Sequence, residues 1–549
     1  MYFNLKVTIC VGFIISIFIH VHVAFSTRTS KKLPNIIIIV ADDLGWNDIS
    51  FHGSLQIPTP NIDALATNGI ILNNYYVSPI CTPSRGALMS GLYPIHTGLQ
   101  HRNIAASHPF GLPLNLVLLP EHLKTFGYAT HAVGKWHLGF FKKEYTPTYR
   151  GFDSHFGYWS GHEDYYDHTA VEGNDWGLDL RHNLSLVTDA LGKYATELFT
   201  DHAVEIIQKH NKSRPLFLYL AHLAVHSANP YNPLEAPSKY IKRFPHIEDK
   251  NRRIFAGMVS ALDDSVGRVI DSLRHQGMLQ NSIIVFTTDN GGPAAGFNQN
   301  AASNWPLRGV KFTLWEGGIR GAAFIWSPLL RKKGIVSTQM MHICDWLPTL
   351  YYAAGGNPAD LGPVDGYNMW KVLSNNSPSP RKEILHNIDP VFDVGALRVE
   401  DYKIIYGTGN SQDEWDGWYG PSGREPHSLI STKRYFKETL KKEKVLFDKS
   451  KMCKSKFHSP AEVICGPKPA NASQNCQLHK APCLFNIAED PCEYRNLANQ
   501  KPQVMKRLLQ RLAEYKATAV PPRNKPKDPR SFPLFHGYSW TNWMDDKIA

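Results

Sequence analysis

Three short apolar runs constrain the fold more than anything else in this chain: Asn35 to Ala41 (NIIIIVA), Pro215 to Ala221 (PLFLYLA) and Ser282 to Thr288 (SIIVFTT). None alternates polar with apolar residues, so each reads as a strand buried on both faces, as in a parallel sheet covered by helices. Thr130 to Val133 adds a shorter strand, and Ile254 to Leu273 has the apolar spacing of a covering helix. The expected fold is α/β, with a mostly parallel central sheet flanked by helices. Such sheets place ligands outside the carboxyl ends of their strands. Two of the runs end in acid: Asp42-Asp43 after the first, Asp289-Asn290-Gly291-Gly292 after the third. Neighbouring carboxylates repel unless a cation sits between them, and a third carboxylate with an amide carbonyl makes an oxygen-rich set suited to a hard metal ion.

A second feature is Cys81-Thr82-Pro83-Ser84-Arg85, which opens a run closed by Gly91 and Pro94. Thr82 fits an N-cap and Pro83 a first helical turn, which puts Cys81 at the positive end of a helix. Arg85, one turn in, adds a planar cation suited to tetrahedral oxyanions. Lys135 and His137 follow the Thr130–Val133 strand and share a side by its two-residue period. A lysine there can neutralise an oxyanion, and a histidine can move a proton near neutral pH.

The Cys81–Arg85 run resembles the C-x-P-x-R motif of the sulfatase family, in which the cysteine is oxidised to formylglycine. Gly127-Tyr128-Ala129-Thr130 leading to Gly134-Lys135-Trp136-His137-Leu138-Gly139 resembles the family's second stretch. The likeness is continuous from about Pro34 to Asn387. Within the family the pattern is closest to the animal arylsulfatase B branch. The resemblance implies an alkaline-phosphatase-like large domain, then a small C-terminal antiparallel sheet with a helix. It implies one calcium ion on Asp42, Asp43, Asp289 and Asn290, with the modified Cys81 side chain close by; calcium rather than magnesium rests on the resemblance alone. It carries catalytic roles onto Cys81, Arg85, Lys135, His137, His226 and Lys311, although after His226 the family's usual proline is displaced to Pro230. In the implied mechanism the hydrated aldehyde attacks sulfur, Asp289 assists deprotonation, and His226 or Lys311 protonates the leaving oxygen. His137 then takes the second hydroxyl's proton. The implied partners are a sulfated carbohydrate or small sulfate ester, and the formylglycine-generating enzyme during maturation. The runner-up is an insect-type sulfatase acting on small plant glucosinolates. A superfamily phosphatase is disfavoured because those enzymes generally carry Ser or Thr at the Cys81 position. An unmodified thiolate enzyme has no need of the metal cluster, and a non-catalytic glycoprotein ranks lowest because no core position is missing.

Length and termini set the rest. At 549 residues a large domain plus a smaller one is expected. Met1 to Ser26, with an apolar core from Val7 to Ile19, reads as a secretory signal peptide. Residues 33–390 form the expected catalytic domain, 391–520 a C-terminal subdomain with short strands at Leu397–Tyr406, Lys444–Phe447 and Leu484–Asn486 and an amphipathic helix at Val504–Tyr515, and 521–549 a tail, with Pro521–Arg530 read as a linker. Sequons at Asn183, Asn211, Asn375 and Asn471 agree with the secretory route, lysosomal or secreted, and no second apolar run suits a membrane span. Eight cysteines include Cys344 alone and Cys453, Cys465, Cys476, Cys483 and Cys492 clustered late. Disulfides are expected there, with Cys483 and Cys492 placed to staple a short turn. Tryptophans 305 and 315 read as core more readily than as sugar platforms. His155, His162 and His168 lie in an aromatic stretch read as cleft wall, and Gln412–Ser428 as a cleft edge. The net charge of +11 suits an acidic partner, but the basic residues are scattered and match no nucleic-acid-binding motif.

Overall fold

Every residue of β1 (Asn35–Ala41) is buried, and its side chains divide cleanly: Ile36, Ile38 and Val40 enter one hydrophobic core, Ile37, Ile39 and Ala41 another. That division is the two-faced burial its unbroken apolar run requires. The computed structural model describes residues 32–408, 413–424 and 459–545. The expected signal peptide, Cys453 and the short strand expected at 444–447 lie outside the described residues. Further strands of the same sheet are β2 (Ile70–Leu72), β3 (Ala129–Lys135), β4 (Ser154–Tyr158), β5 (Arg181–His182), β6 (Ser185–Leu186), β7 (Leu216–Ala221), β8 (Ser282–Thr288), β9 (Ala323–Trp326) and β10 (Ile335–Ser337). Their spatial order is β10-β2-β9-β8-β1-β7-β3-β4-β5-β6. The five central strands from β8 to β4 run parallel. Antiparallel pairs appear only toward the edges, at β8–β9, β9–β2, β4–β5 and β5–β6.

Helices cover both faces. α1 (Cys81–Ser90) packs Ala87, Leu88 and Met89 into the core under Ile36 and Ile38. α2 (Ala195–Lys209) and α3 (Lys250–His275) cover the opposite face. The helix expected at Ile254–Leu273 lies inside α3, which starts four residues earlier because Asp249 caps the Arg252 N–H at 2.6 Å.

A second sheet is antiparallel, ordered β11 (Glu383–Asp389), β12 (Val394–Val399), β13 (Tyr402–Tyr406), β14 (Cys483–Asn486), with α4 (Pro502–Thr518) packed on it through Leu508 and Leu512. Its first strand precedes the boundary expected at residue 390. A fully buried ion cluster ties this sheet to the large one: Lys403 Nζ lies 3.1 Å from Glu316 and 2.8 Å from Glu493.

Two expectations need correction. The disulfides pair Cys465 with Cys492 and Cys476 with Cys483, so Cys483 and Cys492 do not staple each other. Asn496 accepts the Leu484 N–H and donates to Asn475 O, which lays the Cys476 segment beside β14 and brings its thiol to Cys483. Cys344 is buried and unpaired. Nor is Pro521–Arg530 a linker: backbone N–H groups of Arg523 and Asp528 donate to Gly98 O and Ser107 O, both at 2.9 Å, which makes it a strap laid on the body of the protein.

Candidate active site

The site is built where the central strands end. Asp42 and Asp43 follow β1, Asp289 and Asn290 follow β8, Lys135 is the last residue of β3, and His226 lies just past β7. Cys81 is the first residue of α1 and fully buried. Its N-cap is Ile80, not Thr82. The Thr82 hydroxyl is taken elsewhere, accepting the Ile104 N–H and donating to His137 O, so it braces the cleft wall instead of capping.

Three carboxylates meet three cations here. Lys135 Nζ lies 2.6 Å from Asp42, Lys311 Nζ 2.7 Å from Asp43, and the Arg85 guanidinium donates through Nε and Nη2 to Asp289 at 3.0 and 2.8 Å. The Cys81 Sγ sits 3.6 Å from Asp42 Oδ1. Asn290 Nδ2 donates to Asp43 at 2.7 Å, while its Oδ1 is buried with no partner. Ligand atoms of Asp42, Asp43, Cys81 and His226 all lie within 4.8 Å of one another.

The donor set fits a hard divalent cation. His226 Nδ1 must donate to Ser227 O at 2.6 Å, because a carbonyl only accepts. Its Nε2 therefore presents a lone pair 3.5 Å from an Asp43 oxygen, acceptor facing acceptor. Burial and the neighbouring Asp42 push the Asp289 carboxyl above its ordinary range. These frustrated acceptors and the orphaned Asn290 oxygen are satisfied together by one cation among them. With it, the balanced three-against-three cluster becomes net positive and suited to an oxyanion.

Cys81 is not poised as a thiolate, since burial pushes its thiol well up despite Lys135 and Lys311 nearby. His137 is placed by backbone conformation, not by strand alternation. β3 stops at Lys135, and His137 reaches the site through a left-handed turn (φ 60°) held by its N–H on Trp159 O. Its Nε2 donates to Ile104 O at 3.0 Å, which leaves a buried Nδ1 lone pair with no donor. Burial and the charges of Lys135 and Arg85 hold the ring well below the usual histidine range, so that lone pair is open.

Above this floor lies a cavity of about 860 Å³ whose walls include His137, His226, Lys311, Ser160, His162 and Arg102. Of the three histidines expected in the wall, only His162 reaches it, its ring parallel to that of His226 at 5.9 Å. His155 Nε2 donates to Gly134 O at 3.0 Å, and His168 faces Glu163. From the expected cleft-edge insert, Glu414 and Trp415 do line the cavity, and Trp415 meets Phe297 edge-on at 5.1 Å. Trp315 is core beneath Arg308, and Trp305 carries the Arg424 guanidinium. Ile104, Arg102 and Phe297 were missed in sequence. Their only trace is a loop polar enough to sit at a surface, which says nothing of what it faces.

Three fixed cations around a buried cysteine make a pocket suited to a tetrahedral oxyanion. The chain belongs to the sulfatase family, whose model matches residues 34–356, and is a sulfuric ester hydrolase. Arylsulfatase J of Mus musculus is 39% identical over 535 residues, covering 94% of this chain and 81% of that protein. N-acetylgalactosamine-6-sulfatase of Homo sapiens is 32% identical over 356 residues, 62% of this chain and 66% of the relative. The solved structure of Ps i-CgsB in complex with k-i-k-neocarrahexaose superposes with a TM-score of 0.69 at 26% identity, covering 94% of this chain and 98% of that one. These matches establish the family and do not single out the arylsulfatase B branch.

Proposed function

We propose that the protein hydrolyses the sulfate ester of a sulfated sugar, using formylglycine made from Cys81 and one calcium ion held by Asp42, Asp43, Asp289 and Asn290. The observation that carries the reading is the convergence on buried Cys81 of three carboxylates, an orphaned amide oxygen and three cations. Formylglycine, as its hydrate, supplies a hydroxyl nucleophile, and calcium supplies a Lewis acid beside it. The chain's own groups do the rest. Arg85, Lys135 and Lys311 are fixed by ion pairs before substrate arrives, so they offset charge on the sulfate oxygens without reorganising. Between the two candidates for proton donor, the geometry favours Lys311: it carries protons on Nζ, whereas His226 presents a lone pair. His137 Nδ1 is the open acceptor for the proton released when sulfate leaves.

The sugar assignment draws on the named relatives and on a cavity large enough for more than the ester group. Passage through the secretory pathway, to a lysosome or the cell exterior, fits the two disulfides and the sequons. Asn211 and Asn471 are exposed, while Asn183 and Asn375 are half-buried. Among the described residues no helix is long and apolar enough to cross a membrane. The test is peptide mass across Cys81 in protein coexpressed with the formylglycine-generating enzyme, alongside turnover of p-nitrocatechol sulfate. An aldehyde mass with turnover is expected. An unmodified thiol and no turnover under those conditions overturns the reading.

A further inference from the structure

One wall of the cavity is the loop Arg102–His108, of which Arg102, Asn103, Ile104, Ala105, Ala106 and His108 line the space. The strap 521–530 is laid along the outside of that same loop. Besides the two backbone bonds already described, Asn524 Nδ2 donates to His101 O at 2.9 Å, so the strap is held at its start, middle and end. It carries Arg523, Lys525 and Lys527, all exposed. Lys527 Nζ lies 3.4 Å from Glu172, and Glu172 itself lines the cavity, so this basic edge meets the cleft mouth. Arg102 stands on the cleft side of the loop, exposed, with its guanidinium 4.9 Å over the Phe392 ring.

The acids nearby offset only part of this charge, Glu172 against Lys527. Glu172 is engaged by the Ser107 N–H and hydroxyl, and Asp528 by Arg530 and Trp543. Among the described residues, Arg102, Arg523 and Lys525 pair with no carboxylate. Prolines at 521, 522 and 526 stiffen the strap, and Pro526 disfavours helix at Lys525. Such a line of cations, held rigid and unpaired except at Lys527, has no task in binding one small ester. We propose that the strap and Arg102 form a polyanion-binding rail that continues the cleft and takes the flanking chain of a sulfated polysaccharide. This rests on the sulfatase reading of the cleft and adds that the natural substrate is a polymer.

Exposed charges act through a field that salt screens within about 8 Å at physiological ionic strength, so the rail's contribution should fade with salt. The test measures binding of the full-length protein to immobilised dermatan sulfate, chondroitin 6-sulfate and carrageenan at about 50 and about 300 mM NaCl. The triple variant R523A/K525A/K527A is compared with wild type and with the charge-keeping R523K/K525R/K527R. Expected is low-salt binding to at least one polymer, weakened about tenfold in the alanine variant and kept in the charge-keeping one. Equal binding by the alanine variant, or no binding by wild type to any of the three, overturns the rail. Turnover of p-nitrocatechol sulfate is read in parallel. Its absence counts against the sulfatase reading, whereas turnover without rail-dependent binding counts against the rail alone.

Discussion

Arg85 shows how much one side chain must do in this site, and how legible it was. Its position one turn into a helix beginning at Cys81 followed from the motif, and the structure adds the fork onto Asp289 and a third donor toward Lys135 O at 3.3 Å. Lysine cannot reproduce that fork. Arg85→Lys is expected to cost at least about a hundredfold in kcat, the scale of losing one preorganised donor. Arg85→Ala also leaves Asp289 buried without its partner and should cost about 3–5 kcal/mol in urea unfolding. Lys311 gives a sharper chemical test. If it protonates the leaving oxygen, Lys311→Met should lose at least about tenfold more kcat/KM on a sugar sulfate than on p-nitrocatechol sulfate, whose leaving group needs no proton. Equal losses on the two substrates would reassign the lysine to charge neutralisation alone. His137 was legible as a residue and not as a geometry, because the two-residue period ends with the strand and a left-handed turn cannot be read from Lys-x-His.

At the scale of elements, β1, β7 and β8 were the readable part, since a run of branched apolar residues has few ways to be buried. Their ends were readable too, because carboxylates at a strand terminus need a reason. What the sequence could not show is how tightly the ends are packed. A Cβ on Gly291 would lie 1.8 Å from Gly317 O, and one on Gly134 (φ 94°) 1.9 Å from Ala221 O. Gly291→Ala must therefore push apart the turn that carries Asn290. It should abolish turnover and calcium-dependent stabilisation together, a pairing that thermal melts with and without calcium would read. Wild-type protein stripped with a chelator should lose about 2.7 kcal/mol relative to protein at a hundredfold excess of calcium over Kd. An unchanged melting temperature would remove calcium from the account. The disulfide pairing was not readable: four of the late cysteines lie within 27 residues of their partners, and only the Asn475–Asn496 contacts decide which thiols meet.

For the whole molecule, α4 was legible in its leucine spacing, but the assembly of the small sheet was foreseeable only through likeness to a family, since short strands at 394–406 carry little signal of what they pair with. The contact that joins them to the large sheet is a buried charge cluster, and it makes stability depend on pH. Glu493 is fully buried beside Glu316, with Lys403 shared between the two carboxylates and the Arg308 guanidinium donating to its backbone. Burial pushes its carboxyl up to about 7, with Lys403 opposing and Glu316 adding to the rise. Asp63 rises to about 7 as well, burial outweighing the hydroxyls of Ser50 and Thr59 that donate to it. Both folded values lie above the roughly 4 of an unfolded carboxyl. Below that value both states are protonated and these groups' contribution is fully present. As pH climbs toward 7 the unfolded chain ionises first, and stability falls by about 1.4 kcal/mol per unit for each group. Acids held below their ordinary range, Asp153, Glu197 and Glu383 among them, act in the opposite sense but lose their contribution only at more acidic pH. Buried histidines held far below their ordinary range, His52, His155 and His222 among them, pull the other way, costing stability as pH falls below about 6.5. The cluster is therefore read by difference: Glu493→Gln is expected to gain melting temperature relative to wild type between about pH 5 and about pH 7.5. An equal difference between variant and wild type at the two pH values would show that Glu493 stays ionised in the folded protein.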